Sequence, residues 1–426
     1  MPDLPQTNNI ITATIKNLSK KYNDLNWIIT CQMYDMYKKN VFVLETKNIQ
    51  SIVFENNLIS VIPYVKIRYK DYNNLLTPYF KKNGLVLKIN MHTESLPGNN
   101  LDKEFYVEHL DIIQDPTNES NRTVTTYMIS GFDFNMFKML LHPNYSTDHS
   151  SAGTSTFKII YDILNKIGYN FMQLNYDPEI NIQFISGKNM EAIDIIDYCL
   201  ARSISEKTPP TYFMTQLLSG KGQLFGGKAN ITKDNVHLLN VPSNTFKLEH
   251  VQKLTRENGI RNIENTSATE GFELVRLLEN DTFYDFNHLQ RKWSTTKYEH
   301  KKKINLLSNL NAEDKKTFAS SLFTPTALDM IEEEYCRYYP NFSKTVIYPI
   351  LINIELGSNC ISFEVDGNLT YDCGQYIVLD TGDVNLKNVY EGLWNIYGCK
   401  HIFENGKYIT SFACYSTYRY KSMNEK

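Results

Sequence analysis

From about position 10 to position 134, apolar and polar residues alternate in short runs, the period of strands with one face buried. "NWIITCQMYDM", "FVLET", "SIVFENN", "YVKIRYKD", "GLVLKINMH", "FYVEHLDIIQD" and "TTYMISGFDF" are separated by turns bearing Asn, Gly or Pro. That many strands in that length predicts a barrel or a sandwich. The polar stretch "HPNYSTDHSSAGTSTF" then marks a boundary or an ordered loop.

The period next becomes helical. "STFKIIYDILNKIG" sets Phe157, Ile160, Tyr161, Leu164 and Ile167 on one stripe and stops at Gly168. "NMEAIDIIDYCLARSI" does the same with Ala192, Ile193, Ile196, Cys199 and Leu200, and "NIQFIS" between them reads as a short strand. Residues 211–242 return to sheet around a glycine-rich bend. Residues 245–340 read as charged and mostly helical, and 345–420 read as sheet again. The order is barrel, helices, hairpin, helices, barrel. It predicts an α+β fold with two β-barrel domains of similar type and an inserted helical domain. The boundaries are 1–135 for the first barrel, 136–210 and 245–340 for the helical insert, and 211–244 with 341–420 for the second barrel. Residues 421–426 form a C-terminal tail.

The segment "GLWNIYGCKHIFENGKYITSFACY" carries the sharpest local signal. Asn405-Gly406 favours a two-residue type I′ turn, because both central residues need φ > 0. Pairing outward sets Glu404 opposite Lys407, Phe403 opposite Tyr408, Ile402 opposite Ile409, His401 opposite Thr410 and Cys399 opposite Phe412. Strict alternation then places Tyr397, Cys399, His401, Phe403, Tyr408, Phe412 and Cys414 on one face. The other face takes Trp394, Ile396, Ile402, Ile409, Ala413 and Tyr415. Neither side is polar, whereas a hairpin on a free-standing monomer normally wets one face. A ribbon covered on both sides predicts an assembly, with Trp394, Ile396, His401, Phe403, Tyr408, Phe412 and Tyr415 as candidate residues of the barrel hairpin and subunit interface.

Composition changes this picture little. The chain has 426 residues, 21% of them charged, and a formal net charge of −3, so its overall charge offers no nucleic-acid or membrane footprint. Its 29 tyrosines against 3 tryptophans suit sheets and wet interfaces. Seven cysteines at irregular spacing predict a reducing compartment and free thiols. The first residues lack the basic start and apolar core of a signal peptide. No apolar run reaches the roughly 18 residues of a membrane helix.

Candidate chemistry is thin. "GQLFGGKA" fits the glycine–lysine spacing of a phosphate loop, but Ala229 stands where the Mg²⁺-holding hydroxyl belongs and no helix follows Lys228. His401, Cys399 and Cys414 share a face, yet no fourth ligand has metal-site spacing. The two cysteines are diagonal, with Cα atoms roughly 7–8 Å apart, at the long end for a disulfide. Glu332-Glu333-Glu334 and Lys301-Lys302-Lys303 read as solvated helix faces, and the Asp111–Asp115 pair carries no specific signal. No catalytic residue, cofactor or metal is expected.

The arrangement resembles the phage tail (baseplate) hub proteins. Ser51–Asp71, Gly84–Met91 and the Y-x-φ-x-G of Tyr127–Gly131 match the family's first barrel, and the helix pair with its following aromatic strand Thr211–Phe213 matches its middle. The F-x-φ-x-G of Phe363–Gly367, the Gly-led strand Gly374–Leu379, and a hairpin with His401, Gly406, Tyr408 and Thr410 match its end. Residues 260–340 are longer and more charged than the pattern requires. The resemblance implies a structural virion protein, not an enzyme. It implies a homotrimer whose six barrels present a pseudo-sixfold face, adapting a sixfold tail tube protein to a threefold spike protein among other baseplate proteins. It further implies location in the virion tail, in host cytoplasm during assembly, with no membrane partner and genomic DNA only passing through. Two other readings of the residues stand beside it. One is a carbohydrate-binding or carbohydrate-cleaving β-rich tail protein whose tyrosines line a groove. The other is an NTPase acting through Lys228.

Overall fold

The computed structural model describes residues 19–36, 41–58, 62–95, 100–134, 154–167, 170–173, 181–182, 191–201, 211–215, 235–241, 252–266, 282–287, 292–297, 360–382 and 390–415, apart from 24, 73, 80–83, 120–121 and 391 within those spans. The described chain is mostly β-sheet with two short helices.

The first strands are β1 (Ser19–Tyr22), β2 (Leu25–Asp35), β3 (Val41–Leu44), β4 (Ile49–Asn57), β5 (Tyr64–Asp71), β6 (Leu85–His92), β7 (Asn100–Glu119) and β8 (Arg122–Asp133). All seven expected alternating runs are strands. In β2, Trp27, Ile29, Cys31 and Met33 are buried, and in β5, Val65, Ile67 and Tyr69 are buried between outward Lys66, Arg68 and Lys70. Period-two burial of this kind fixes register, since a one-residue slip would carry every apolar side chain to the wrong face. Inward residues of β2, β4, β5, β6, β7 and β8 meet in a single hydrophobic cluster. One face of six strands reaches one core only if the sheet folds over on itself.

A smaller middle region follows, with β9 (Thr154–Ser155), α1 (Thr156–Ile167), β10 (Asn170–Gln173), β11 (Asn181–Ile182), α2 (Ala192–Ala201), β12 (Thr211–Thr215) and β13 (Asn235–Val241). Helix α1 packs against α2 and β10, and α2 against β12. The stripes depart slightly from expectation. In α1 the buried set is Phe157, Ile159, Ile160, Ile163 and Leu164, while Tyr161 is 48% exposed; in α2, Ile195 is buried and Ile193 is half-buried. Tyr161 reaches water because the stripe is centred one position away, on Ile160 and Ile163.

The rest of the described chain comprises β14 (Gln252–Leu254), β15 (Arg261–Asn265), β16 (Thr282–Asn287), β17 (Lys292–Lys297), β18 (Cys360–Asp366), β19 (Tyr376–Leu379), β20 (Gly392–Glu404) and β21 (Lys407–Tyr415). The main sheet has fourteen strands, running β1-β2-β6-β7-β8-β5-β4-β20-β21-β18-β15, with β3, β14 and β19 paired off this path. β4 and β20 are therefore hydrogen-bonded neighbours, and the amino-terminal and carboxy-terminal β-units share one continuous sheet. Their cores stay separate. The second gathers Ile361, Phe363, Val365, Ile377, Trp394, Ile396, Phe412 and Cys414.

Two expectations about the middle of the chain are corrected. The hairpin within 211–244 was assigned to the second barrel, but β12 and β13 pair with each other and with β10 in a separate three-stranded sheet. β10 and β13 lie parallel, which needs a long crossover connection, and α2 lies in the chain between them. The 245–340 stretch reads as mostly helical, whereas the elements described at 252–266, 282–287 and 292–297 are four strands and one 3-10 turn, Arg256–Asn258. β14 pairs with β19, β15 with β18, and β16 with β17. "TFYDFN" and "KWSTTK" are rich in aromatic and β-branched residues, and cross-strand partners decide the outcome. The glycine loop at 222–229, the Lys301–Lys303 and Glu332–Glu334 runs, 341–359 and the 421–426 tail lie outside the described residues. No helix among those described is long and apolar enough to cross a membrane.

Candidate functional site: the terminal hairpin

The β20–β21 turn forms as its sequence dictates, with φ of 50° at Asn405 and 75° at Gly406. The pairs Glu404–Lys407, Phe403–Tyr408, Ile402–Ile409, His401–Thr410 and Cys399–Phe412 all hold. Beyond Gly398 the register shifts, and Ile396 pairs with Cys414 while Tyr397 is the extra residue. This bulge corrects the expected faces. One added residue in a period of two moves everything past it to the opposite side. Trp394 and Ile396 thus join the inner face, while Tyr397 turns outward and stacks on Tyr415 with centroids 5.8 Å apart.

At the tip, the inner face plugs the first core. Phe403 and Tyr408 stack with centroids 3.8 Å apart, and Trp27 meets both edge-on at 5.2 and 5.3 Å. Tyr22 closes on Phe403 from β1. Nearer its base the same hairpin supplies Cys399, Phe412, Cys414, Ile396 and Trp394 to the second core. One ribbon serves two cores.

Two contacts hold the tip. Asn23, in the left-handed region at φ 47°, uses its side-chain amide as a stand-in strand. Its Oδ1 accepts from the Tyr408 N–H at 3.1 Å, its Nδ2 donates to the Tyr408 carbonyl at 2.5 Å, and its own N–H donates to Gly406 at 3.0 Å. The β1–β2 turn is thereby tied to the hairpin. Gly367, last residue of the F-x-φ-x-G motif, lets the Tyr408 ring lie on its backbone; a Cβ there would meet ring carbons at 2.2–2.4 Å. Gly131 of the Y-x-φ-x-G motif is equally constrained, since a Cβ would sit 2.2 Å from the Tyr106 carbonyl oxygen. Both motif glycines mark close backbone approach.

His401 lies between the cores and is 1% exposed. The Tyr371 carbonyl, 3.1 Å from Nε2, can only accept, so Nε2 carries the proton. Nδ1 then accepts from the Tyr408 hydroxyl at 3.0 Å, with Thr410 Oγ1 at 3.1 Å. Burial lowers its pKa to about 4, against a smaller upward pull from the Tyr371 carbonyl. The ring is neutral and structural. Below it the 371–375 turn crosses to the other unit. Asp372 Oδ1 accepts from Asn56 Nδ2 of β4 at 2.7 Å, and the Cys373 thiol donates to the Asn56 carbonyl at 3.0 Å. Burial raises the thiols of Cys373, Cys399 and Cys414 well above their ordinary range, and all six described cysteines are free. Such thiols are poor nucleophiles. No group of three or more His, Cys, Asp or Glu among the described residues is arranged to hold a metal.

The seven singled-out residues, Trp394, Ile396, His401, Phe403, Tyr408, Phe412 and Tyr415, are all buried within the single chain. The surface left for a neighbour is the outer face, and it is less apolar than expected. Register aligns Val53, Ile402 and Ile409 in a half-buried row across β4, β20 and β21. Beside that row Glu55 bridges Lys400 at 2.5 Å and Lys66 at 3.6 Å. Burial pushes the Glu55 carboxyl up, but the two ammoniums outweigh it and hold the group below its usual range. Sequence reasoning missed Asn23, Asn56 and the 371–375 turn. "YND" at 22–24 was a legible turn signal, but nothing local tied it to a hairpin nearly four hundred residues away.

Comparison with known proteins gives fold and little else. No protein family and no curated protein matches the sequence. Among solved structures, the chain is similar to the tail protein from Neisseria meningitidis MC58, with a TM-score of 0.50 and 7% identity over 92% of this chain and 96% of that one. It is also similar to the 43 kDa tail protein of prophage MuSo2 from Shewanella oneidensis, with a TM-score of 0.48, 9% identity, and coverage of 90% and 97%. A chain of the lidded Francisella PdpA–VgrG complex gives 0.48 and 10% identity, over 97% of this chain but 55% of that one. The fold is of the tail-protein type.

Proposed function

We propose that the chain is a structural component of a phage tail, the baseplate hub. Three copies close into a ring whose β-units present a pseudo-sixfold face to a tail tube and a threefold face to a spike, and DNA passes through the lumen. The observation that carries this reading is the whole-length fold likeness to the Neisseria tail protein, which spans nearly all of both chains. Such a ring needs two β-units held rigidly in one subunit. The shared β4–β20 pairing and the bonds of Asn56 to Asp372 and Cys373 supply that joint. Heterologous contacts that close by rotation make rings.

A role as enzyme finds no support in the inert thiols or the neutral histidine. The carbohydrate reading needs tyrosines in an open cleft, whereas Tyr22, Tyr69, Tyr127, Tyr371, Tyr408 and Tyr415 fill the two cores. Light scattering on the purified full chain tests the proposal. The expected mass is three times the 49.5 kDa of one chain. A concentration-independent monomer overturns it.

A further inference from the structure

The main sheet runs through the same strand order twice. In the amino-terminal unit it runs β2-β6-β7-β8-β5-β4, and in the carboxy-terminal unit β14-β19-β20-β21-β18-β15. Numbered in chain order, with β1, β3, β16 and β17 left aside, both orders read 1-4-5-6-3-2. The matching pairs are antiparallel in both units, except that β14 lies parallel to β19 while β2 lies antiparallel to β6. β20 thus corresponds to β7, and β15 to β4. The irregularities correspond too. β6 covers β7 from Asn100 to Tyr106, and β19 covers β20 from Gly392 to Asn395. Just beyond, each long strand takes one extra residue, Glu108 in β7 and Tyr397 in β20. β4 and β15 each carry a bulge near their start.

The units differ in what lies past the long strand's bulge. From Gly398 to Glu404, β20 pairs antiparallel with β4 of the other unit, and no residue of Ser51–Asn57 or Gly398–Phe403 is exposed. From Val107 onward the corresponding edge of β7 meets no strand among those described. β15, the counterpart of β4, ends the path of the sheet with β18 as its strand neighbour. Here the side chains are open. All of Glu108–Ile113 but Leu110 are exposed, Ile112 at 44% and Ile113 at 42%, as are Asn262 and Glu264 of β15. Open strand edges are templates for pairing with another chain. Among the described strands β7 and β15 do not pair within the chain, so the rotation relating the units is not a two-fold, and repeating it leads to another copy. We propose that β7, from His109 to Ile112, pairs antiparallel with β15 of a second copy of this chain, repeating between copies the β20–β4 joint made within each. That stretch lies between the bulges at Glu108 and Ile113, where its ladder to β8 is unbroken. Joints within and between copies then alternate, and the sheet runs once around the ring. This rests on the ring reading above and names the strands that close it.

Cysteine pairs in the full chain test it. One position from His109–Ile112 and one from Arg261–Glu264 are changed to Cys in every combination, because directly opposed residues of antiparallel strands bring their Cα atoms within disulfide reach. Under mild oxidation, pairs of one antiparallel register shift the band on a denaturing gel from the 49.5 kDa of one chain to two and three times that mass, and reductant reverses the shift. Single-cysteine variants stay at the mass of one chain, since the six described native cysteines are buried. Mixing a tagged chain carrying only Asp111→Cys with an untagged chain carrying its opposed β15 cysteine gives a mixed dimer. Light scattering before oxidation checks that assembly is kept. Assembled variants in which no pair cross-links, or in which pairs close only within one chain, overturn the contact and leave the ring reading standing. A wild type that never assembles overturns both.

Discussion

Protonating His401 requires its Nδ1 to stop accepting from the Tyr408 hydroxyl and places a charge between two apolar cores. The unfolded chain takes up that proton near pH 6.5, while the folded ring holds out to about 4. Because the unfolded state binds more protons in that window, stability rises with pH across it and is lost as pH falls from about 6.5 toward 4. The contribution is about 3 kcal/mol at full extent. Urea denaturation of His401→Gln should show a flatter profile between those values than the wild type. Gly367 makes a second prediction. An Ala side chain would strike the Tyr408 ring, so Gly367→Ala should cost about 1–3 kcal/mol, or more if the stack on Phe403 is lost, measured by the same titration. The motif glycine was readable in the sequence. Its reason was not, because the ring that requires it lies far along the chain.

The elements divide by how local their causes are. The β20–β21 register was legible because a two-residue turn pins it, and the seven strands β2 to β8 because alternation marks them. The bulge at Tyr397 carried no sequence mark, and it reversed the faces of Trp394 and Ile396. β14 and β15 were hidden for a different reason, as short segments made into strands by partners about a hundred residues away or more. Pairing between elements is also where Asn23 acts. Replacing it with Ala removes the acceptor of the Tyr408 N–H, and the expected loss is about 1–3 kcal/mol. Amide exchange checks this specifically, since protection at Tyr408 should fall far more than at positions elsewhere in the hairpin.

At the scale of the molecule, a continuous sheet across two cores explains why the terminal ribbon is apolar on its inner face without any neighbour. Its outer row is another matter. Val53, Ile402 and Ile409 are half-buried and flanked by the Glu55–Lys400–Lys66 cluster, which suits an interface that stays soluble before assembly. Ile402→Glu is expected to leave the melting temperature of the single chain within a few degrees of wild type, yet abolish assembly seen by light scattering. The two-unit layout could be anticipated from the return of strand periodicity after residue 345. The separate β10–β13–β12 sheet could not, because nothing in a short strand's own sequence names its partner.

Electron-microscopy class averages of the purified full chain, viewed down the rotation axis, test the hub directly. The account predicts a closed ring with threefold symmetry, six β-lobes of similar size and an open lumen. Particles of one chain, or a closed assembly of another symmetry with no passage through it, would contradict it.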